Sequence, residues 1–274
     1  MTAFAEIANG RDTQLIEAAF EIAADEYPDL SIREELAKVE RLRQQLRRLA
    51  GSNIDWRHDD LGRIALLNRF FFDQCRFRGA SKSYYDPRNS YLNDVMDRRV
   101  GIPITLSVIY AELGAALNLD MHGVNLPGHF VLGVNRDDGP RMFIDVFNGG
   151  AVLEWSACRQ RVPHAMHRRP PLDATEFPPM SARDVLARML RNLKGIYLEC
   201  DLERAARVQK RLAELLPHDW DVGSALADLY SRTGRPALAL QTLQAWLRRR
   251  PELESVEEFR DSLRQAARDS ALAN

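Results

Sequence analysis

One stretch limits the folds open to this chain more than any other: Val100 to Leu119, VGIPITLSVIYAELGAALNL, twenty residues with a single charge at Glu112. A helix that is apolar nearly all round has to be enclosed by other elements. Its length would suit a membrane span, but Pro103, Thr105, Ser107, Glu112 and Asn118 would be costly in lipid, so a buried core helix is expected and no membrane is involved. Gly101-Ile102-Pro103 marks the start. Proline is tolerated there because its missing N–H has no intrahelical partner in the first turn.

The rest of the first half supplies the cover. Asp12 or Thr13 is positioned to cap a helix carrying Leu15, Ala18, Phe20, Ile22 and Ala23, which Tyr27-Pro28 stops. Ser31 to Ala50 is highly charged, with an inward stripe of Leu36, Val39, Leu42, Leu46 and Leu49. Asp60 to Asp73 repeats Leu61, Ile64, Leu67 and Phe71 at helical spacing, widened by Phe70 and Phe72. A loop from Phe77 to about Arg88 follows, then a short helix capped by Asn89 or Ser90 and carrying Tyr91, Leu92, Val95 and Met96.

After the central helix the pattern turns extended, with MHGVNL, HFVLGVN and MFIDVF separated by Pro127-Gly128 and by residues 136–140. A small antiparallel sheet against the central helix is expected, ending in a turn at Asn148-Gly149-Gly150 that needs positive backbone angles. Residues 151–180 hold five prolines and a basic run of Arg159, Arg161, His164, His167, Arg168 and Arg169, and read as an irregular surface connector. From Ser181 onward the pattern is helical. Ala205 and Ala239, Leu212 and Trp246, and Pro217 and Pro251 are each 34 residues apart, the tetratricopeptide period. The fold class is therefore α+β. Residues 1–180 form one domain, with a helical part at about 12–75, a core at 80–155 and a connector at 156–180. Residues 181–274 form a helical domain.

Lys plus Arg number 38 against 39 Asp plus Glu, a net charge of -1, which lacks the concentrated basic field of a nucleic-acid binder. Cys75, Cys158 and Cys200 are scattered, odd in number and without CxxC spacing, so neither disulfides nor a zinc site is expected. The N-terminus has no signal-peptide pattern, and a cytoplasmic location fits. No cofactor or metal is implied.

His129 opens the second extended segment and Asp145 lies in the third. With a loop symmetric about Asp137 they face each other across the ladder, within reach of an imidazole–carboxylate hydrogen bond. The pair reads either as a structural polar contact or as part of an active site. Thr105 and Ser107 bring hydroxyls near the head of the central helix, where they serve helix-start hydrogen bonding or act as weak nucleophiles. Cys75 sits beside Arg76 and near Arg78, charges able to lower a thiol pKa. Tyr84, Tyr85, Asp86, Asn89, Ser90, Asn93, Arg98 and Arg99 either line a cleft beside His129 or play structural parts. In the structural alternative the tyrosines are in the core, Asp86 and Asn89 in turns, and Arg98 and Arg99 paired with acids.

The runs EAAFEIAADEYPDL, SYYDPRNSYLNDVMDRRVGIPITLSVIYAELGAALNL, GVNLPGHFVLGV and FIDVFNGG resemble the SirB1 family. Its core is similar to the papain-like and transglutaminase-like fold, and it often ends in tetratricopeptide repeats. The resemblance implies that His129 takes the catalytic histidine position and Asp145 the catalytic aspartate position. It sets the nucleophile at Pro103, give or take two residues, where this chain has no cysteine.

The expectation is a transglutaminase-like protein lacking the catalytic cysteine. It would act as a binding or regulatory module for a protein or peptide through its cleft, with Tyr85, Asn89, Arg99 and Pro103 as cleft candidates, and through its helical repeats. One alternative is an acyl-transfer or amide hydrolase using Thr105 or Ser107 with His129 and Asp145. The other is an interaction scaffold resting on the repeats alone.

Overall fold

The computed structural model describes residues 1–11, 14–51, 59–126, 128–135, 141–160 and 177–272. The chain forms two compact units, Met1–Met189 and Leu190–Asn274. The first opens with a short helix ahead of those the periodicity predicts, α1 (Ala3–Ala8), which Thr2 caps. Next come α2 (Leu15–Ala24) and α3 (Ile32–Ala50). The N-cap of α2 is Gln14, which makes no side-chain capping bond, and the caps expected of residues 12–13 fall outside the described residues. Ser31 caps α3 by accepting from the Glu34 N–H. The buried stripe of α3 ends on Ala50, while Leu49 is 47% exposed. At 3.6 residues per turn position 49 lies roughly 60° off the centre of the stripe through Val39, Leu42 and Leu46.

α4 (Asp60–Asn68) runs into one turn of π-helix, Arg69–Gln74, where the sequence predicts a plain helix. The wider turn lets the adjacent Phe70 and Phe71 both be buried, with Phe71 stacked on Phe77 at 4.3 Å between centroids. Leu61, on the first turn, is exposed instead of continuing the inward stripe. β1 (Arg78–Gly79), α5 (Leu92–Arg98) and β2 (Val100–Gly101) follow, with β1 parallel to β2. Neither Asn89 nor Ser90 caps α5. Tyr91 holds the N-cap position without a side-chain bond, and Asn89 belongs to a 3-10 turn, Pro87–Asn89, whose cap is Asp86.

α6 (Pro103–Gly114) is the enclosed helix the sequence requires, with every residue but Ala111 and Glu112 buried. Helices α2, α3, α4 and α5 pack on it, and Arg43 pairs at 2.9 Å with Glu112, its single charge. Thr105 reaches back so that its Oγ1 accepts the Ile102 N–H at 3.1 Å, satisfying a donor at the helix start. Among the described residues no helix is long and apolar enough to cross a membrane.

The sheet has four antiparallel strands in sequence order: β3 (Met121–Leu126), β4 (His129–Val134), β5 (Met142–Asp145) and β6 (Ala151–Leu153). Leu132 stands opposite Ile144, so the β4–β5 hairpin is centred on position 138 and not on Asp137. Partners therefore shift by two residues, which keeps every side chain on its expected face. Residues from 151, expected as an irregular connector, instead give β6 and α7 (Trp155–Gln160). Their Leu153, Trp155 and Cys158 cover the apolar sheet face made by Val124, Leu126, Val131 and Phe143. Most of the basic run, from Arg161 to Arg169, falls outside the described residues. Phe130 and Leu132 alternate to the other face, toward α6.

α8 (Ala182–Cys200) spans the division between the units. Beyond it the second unit holds α9 (Leu202–Leu215), α10 (Trp220–Arg232), α11 (Pro236–Arg249) and α12 (Glu257–Leu272), each packed on the next. Asp201 and Asp219 cap α9 and α10. The repeat-related Ala205, Ala239, Leu212 and Trp246 are all buried. Trp220 bridges Trp246 and Phe259, at 5.7 and 5.1 Å between centroids.

Candidate functional site

His129, the first residue of β4, and Asp145, the last of β5, come together at one end of the two central strands. Extending the β4–β5 register sets Asp145 opposite Val131, so His129 is its diagonal neighbour on the same face and not its direct partner. An imidazole is long enough to span that diagonal. His129 Nε2 lies 3.0 Å from Asp145 Oδ2.

Asp145 is fully buried, and its carboxylate accepts from the Asn148 backbone N–H at 3.2 Å and from Asn148 Nδ2 at 2.8 Å. Burial pushes its pKa up. His129 and the two Asn148 donors outweigh burial and hold the carboxyl below its usual value. A charged carboxylate therefore sits beside the imidazole at neutral pH.

The turn that presents Asn148 is pinned from behind. Gly149 and Gly150 take φ of 76° and 72°, the left-handed region expected of this turn. Asn68, at the end of α4, donates through Nδ2 to the Gly150 carbonyl at 2.9 Å and accepts the Tyr110 hydroxyl at 2.7 Å. Tyr110 is fully buried in α6, and burial pushes its phenol well above the ordinary value, so it stays a proton donor in this chain. A buried polar relay thus ties the central helix to the aspartate turn.

Like Asn68 and Tyr110, Arg188, on the first turns of α8, is a site residue that the sequence does not point to. Its Nη2 donates to the His129 carbonyl at 3.1 Å, and its guanidinium lies 5.4 Å from the centroid of Phe130. Burial lowers its pKa and the nearby Tyr84 raises it. Among the described residues Arg188 has no carboxylate partner. No local signal marks it, because it lies 59 residues from His129.

The other sequence candidates are spread around this centre. Tyr84 and Tyr85 are 40% and 77% exposed, so they do not pack into the core. They meet edge to face at 5.3 Å, and Tyr84 touches Phe147 at 6.2 Å. Asp86 carries a pKa lowered by Arg88, against the pull of burial, while Arg98 stands 3.7 Å from it. Asn89 is buried and donates to the Ser83 carbonyl at 2.6 Å, closing the loop below the tyrosines.

Arg99 closes α5 in a left-handed conformation, φ 60°. It lies 4.7 Å from the Phe77 ring centroid, and among the described residues it pairs with no acid and its Nη1 has no partner. Pro103 is the first residue of α6. Thr105 Oγ1 donates to the Asn89 carbonyl at 2.8 Å, and among the described residues Ser107 Oγ has no partner, so neither hydroxyl is hydrogen-bonded to the imidazole.

None of the cysteines supplies a thiolate at Pro103. Burial pushes the Cys75 thiol up, and Arg99 offsets this only in part, so the neighbouring cations do not activate it. Cys158 is buried in the apolar cluster under α7, and Cys200 is exposed in the second unit. Thiol labelling of the native chain is expected to proceed fastest at Cys200, slowly at Cys75 and last at Cys158. Peptide mapping after a timed alkylation reads the order, and a Cys75 faster than Cys200 would contradict this account. Among the described residues no group of three or more His, Cys, Asp or Glu is placed to hold a metal.

Residues 33–191 match the family model for the transglutaminase-like superfamily. The chain belongs to that superfamily. Among curated relatives, a UPF0162 protein of Xylella fastidiosa is 34% identical over 257 residues, 91% of this chain and 88% of that protein. A UPF0162 protein of Pseudomonas aeruginosa is 29% identical over 223 residues, covering 81% and 79%. F-box only protein 21 of Homo sapiens is 31% identical over 137 residues, 47% of this chain and 21% of that protein. No solved structure matches. The superfamily match covers α3 through the start of α8 and so includes His129, Asp145, Pro103 and Arg188.

Proposed function

We propose that this transglutaminase-like chain does not transfer acyl groups and works as a peptide- or protein-binding module, with its cleft at the His129–Asp145 pair. The observation that carries the reading is the proline at the head of α6. The resemblance to the SirB1 family puts the nucleophile at Pro103, give or take two residues, a stretch with no thiol, whose one hydroxyl, Thr105, donates to the Asn89 carbonyl at 2.8 Å. A His–Asp pair without a nucleophile orients and hydrogen-bonds a ligand but forms no covalent intermediate. Tyr84 and Tyr85 offer exposed aromatic surface near Arg188, a combination favoured at binding hot spots. The helical hairpins after α8, with their 34-residue spacing, act in this reading as a tetratricopeptide-like second surface, and the chain works in the cytoplasm.

The test uses the full chain in two assays. With a glutamine peptide and a primary amine, wild type is expected to yield no transfer or hydrolysis product beyond that of His129→Ala. Selection from a random peptide library is expected to return ligands whose affinity falls about tenfold or more with Tyr85→Ala or Arg188→Ala. Product formation that disappears in His129→Ala would overturn the non-catalytic reading. Ligands indifferent to both cleft substitutions would overturn the assignment of the cleft.

A further inference from the structure

We propose that Arg188 anchors a carboxylate subsite: the ligand of the cleft carries a carboxylate, from a chain end or from an Asp or Glu side chain, that docks on the unused N–H groups of this guanidinium. The inference rests on the reading of the His129–Asp145 region as a binding cleft and adds the charge of the ligand to it.

Arg188 is fixed through a small part of its capacity. Its Nη2 donates to the His129 carbonyl at 3.1 Å and its guanidinium lies 5.4 Å from the Phe130 centroid, which holds the group beside the start of β4 with one of its five N–H bonds engaged. Nε and Nη1 have no partner among the described residues, and unlike Nη1 of Arg99 they are not sealed from solvent. Whichever Nη2 hydrogen meets the carbonyl, the other stands beside Nε or Nη1. A fork of two parallel N–H groups therefore remains, the geometry that a carboxylate fills with both oxygens.

Pinning one carbonyl does not require a charge, since any neutral donor would do it without desolvating an ion. Two other arginines of the same unit use theirs fully: Arg43 pairs with Glu112, and Arg63 with Asp60 and with the Leu117 and Asn118 carbonyls. Arg188 is half-buried with no acid beside it, and the loss of hydration is opposed only by the Tyr84 hydroxyl. An arriving anion offsets that loss, and the limited access of water strengthens the contact.

The size of the charge selects among anions. Among the described residues no second Lys or Arg acts on the guanidinium, so the field is that of a single cation. One positive charge matches a carboxylate and leaves a phosphate dianion half unmet.

Two matched pairs of probes test this with the full chain at low ionic strength, where the contact is least screened. N-acetylphenylalanine against N-acetylphenylalaninamide presents or removes a terminal carboxylate. N-acetylphenylalanylglutamate amide against its glutamine counterpart does the same on a side chain. NMR titration follows the Nε–H signal of Arg188, assigned by its absence in Arg188→Met. In at least one pair the acid is expected to bind about tenfold more tightly than its neutral partner and to move that signal, and the pair that does so identifies the source of the carboxylate. Arg188→Met keeps the stem, removes the charge and is expected to bring the ratio to about one, with a thermal melt confirming the fold. The wild-type ratio decides the matter even if that variant does not fold. The proposal is overturned if acids and neutral partners bind alike, if no probe saturates, or if the ratio survives Arg188→Met, as it would were Arg188 purely structural. Neutral and acidic probes bound equally, and weakened by Tyr85→Ala, would remove the carboxylate and leave the cleft standing. The cleft itself falls by a different result, library ligands indifferent to Tyr85→Ala and Arg188→Ala.

Discussion

Gly150→Ala is expected to destabilise the chain by about 3–5 kcal/mol, the sum of a left-handed backbone forced on alanine and a steric overlap. Gly150 has φ 72°, and a Cβ there would overlap Asn68 Oδ1 and lie 2.6 Å from Asn68 Cγ and 2.7 Å from Phe72 Cε2. Asn68 cannot give way freely, because it holds both the Tyr110 hydroxyl and the Gly150 carbonyl. Gly149→Ala is the matched control. Gly149 has φ 76°, but a Cβ there meets nothing within 4 Å, so it carries only the backbone penalty, about 1–2 kcal/mol. Urea unfolding of the two variants separates strain from overlap. Equal losses would mean that the relay from α6 to the aspartate turn does not exist.

Asp145→Ala is expected to lower stability by about 2–3 kcal/mol at neutral pH, because hydrogen bonds to a buried charged group are lost. Asp145→Asn keeps the shape and isolates the charge. The folded-state pKa of Asp145 is depressed, so the charge stabilises fully above the unfolded-state value near 3.9. That contribution is lost as pH falls through the unfolded value toward the folded one. The stability gap between wild type and Asp145→Asn should therefore narrow below about pH 4. Denaturant titrations across that range provide the measurement. A gap that persists unchanged to pH 3, or is absent at neutrality, would show that His129 and Asn148 do not hold the carboxylate.

Where the hydrophobic pattern was dense, the elements could be read directly. The enclosed helix from Pro103, the amphipathic helix from Ile32 and the strands beginning at Met121, His129 and Met142 all follow from runs of apolar residues at one period. Where it was sparse, reading failed. Ala151–Leu153 is too short to announce a strand, and forms one because β5 leaves an unpaired edge and α7 caps the apolar face beneath. Tyr84 and Tyr85 look like core residues by type, but the Asp86 turn that follows holds them at the surface.

The candidate site divides in the same way. His129 and Asp145 were nominated by residue type and strand position, and their common face survived a two-residue error in register because side chains alternate with period two. Arg188, Asn68 and Tyr110 could not be nominated so. Each sits on a separate helix and is tied in through a hydrogen bond that spans 42 to 82 residues of chain and leaves no periodic mark. The sequence by itself determined that a helix apolar nearly all round must be enclosed and that no thiol stands at its head, since both depend only on residue identity and spacing. Tertiary structure alone decided the rest: the diagonal of the His–Asp pair, the Arg188 bond to the His129 carbonyl and the Asn68 link between Tyr110 and the Gly150 turn. Those depend on which distant side chains share a small volume, and packing settles that.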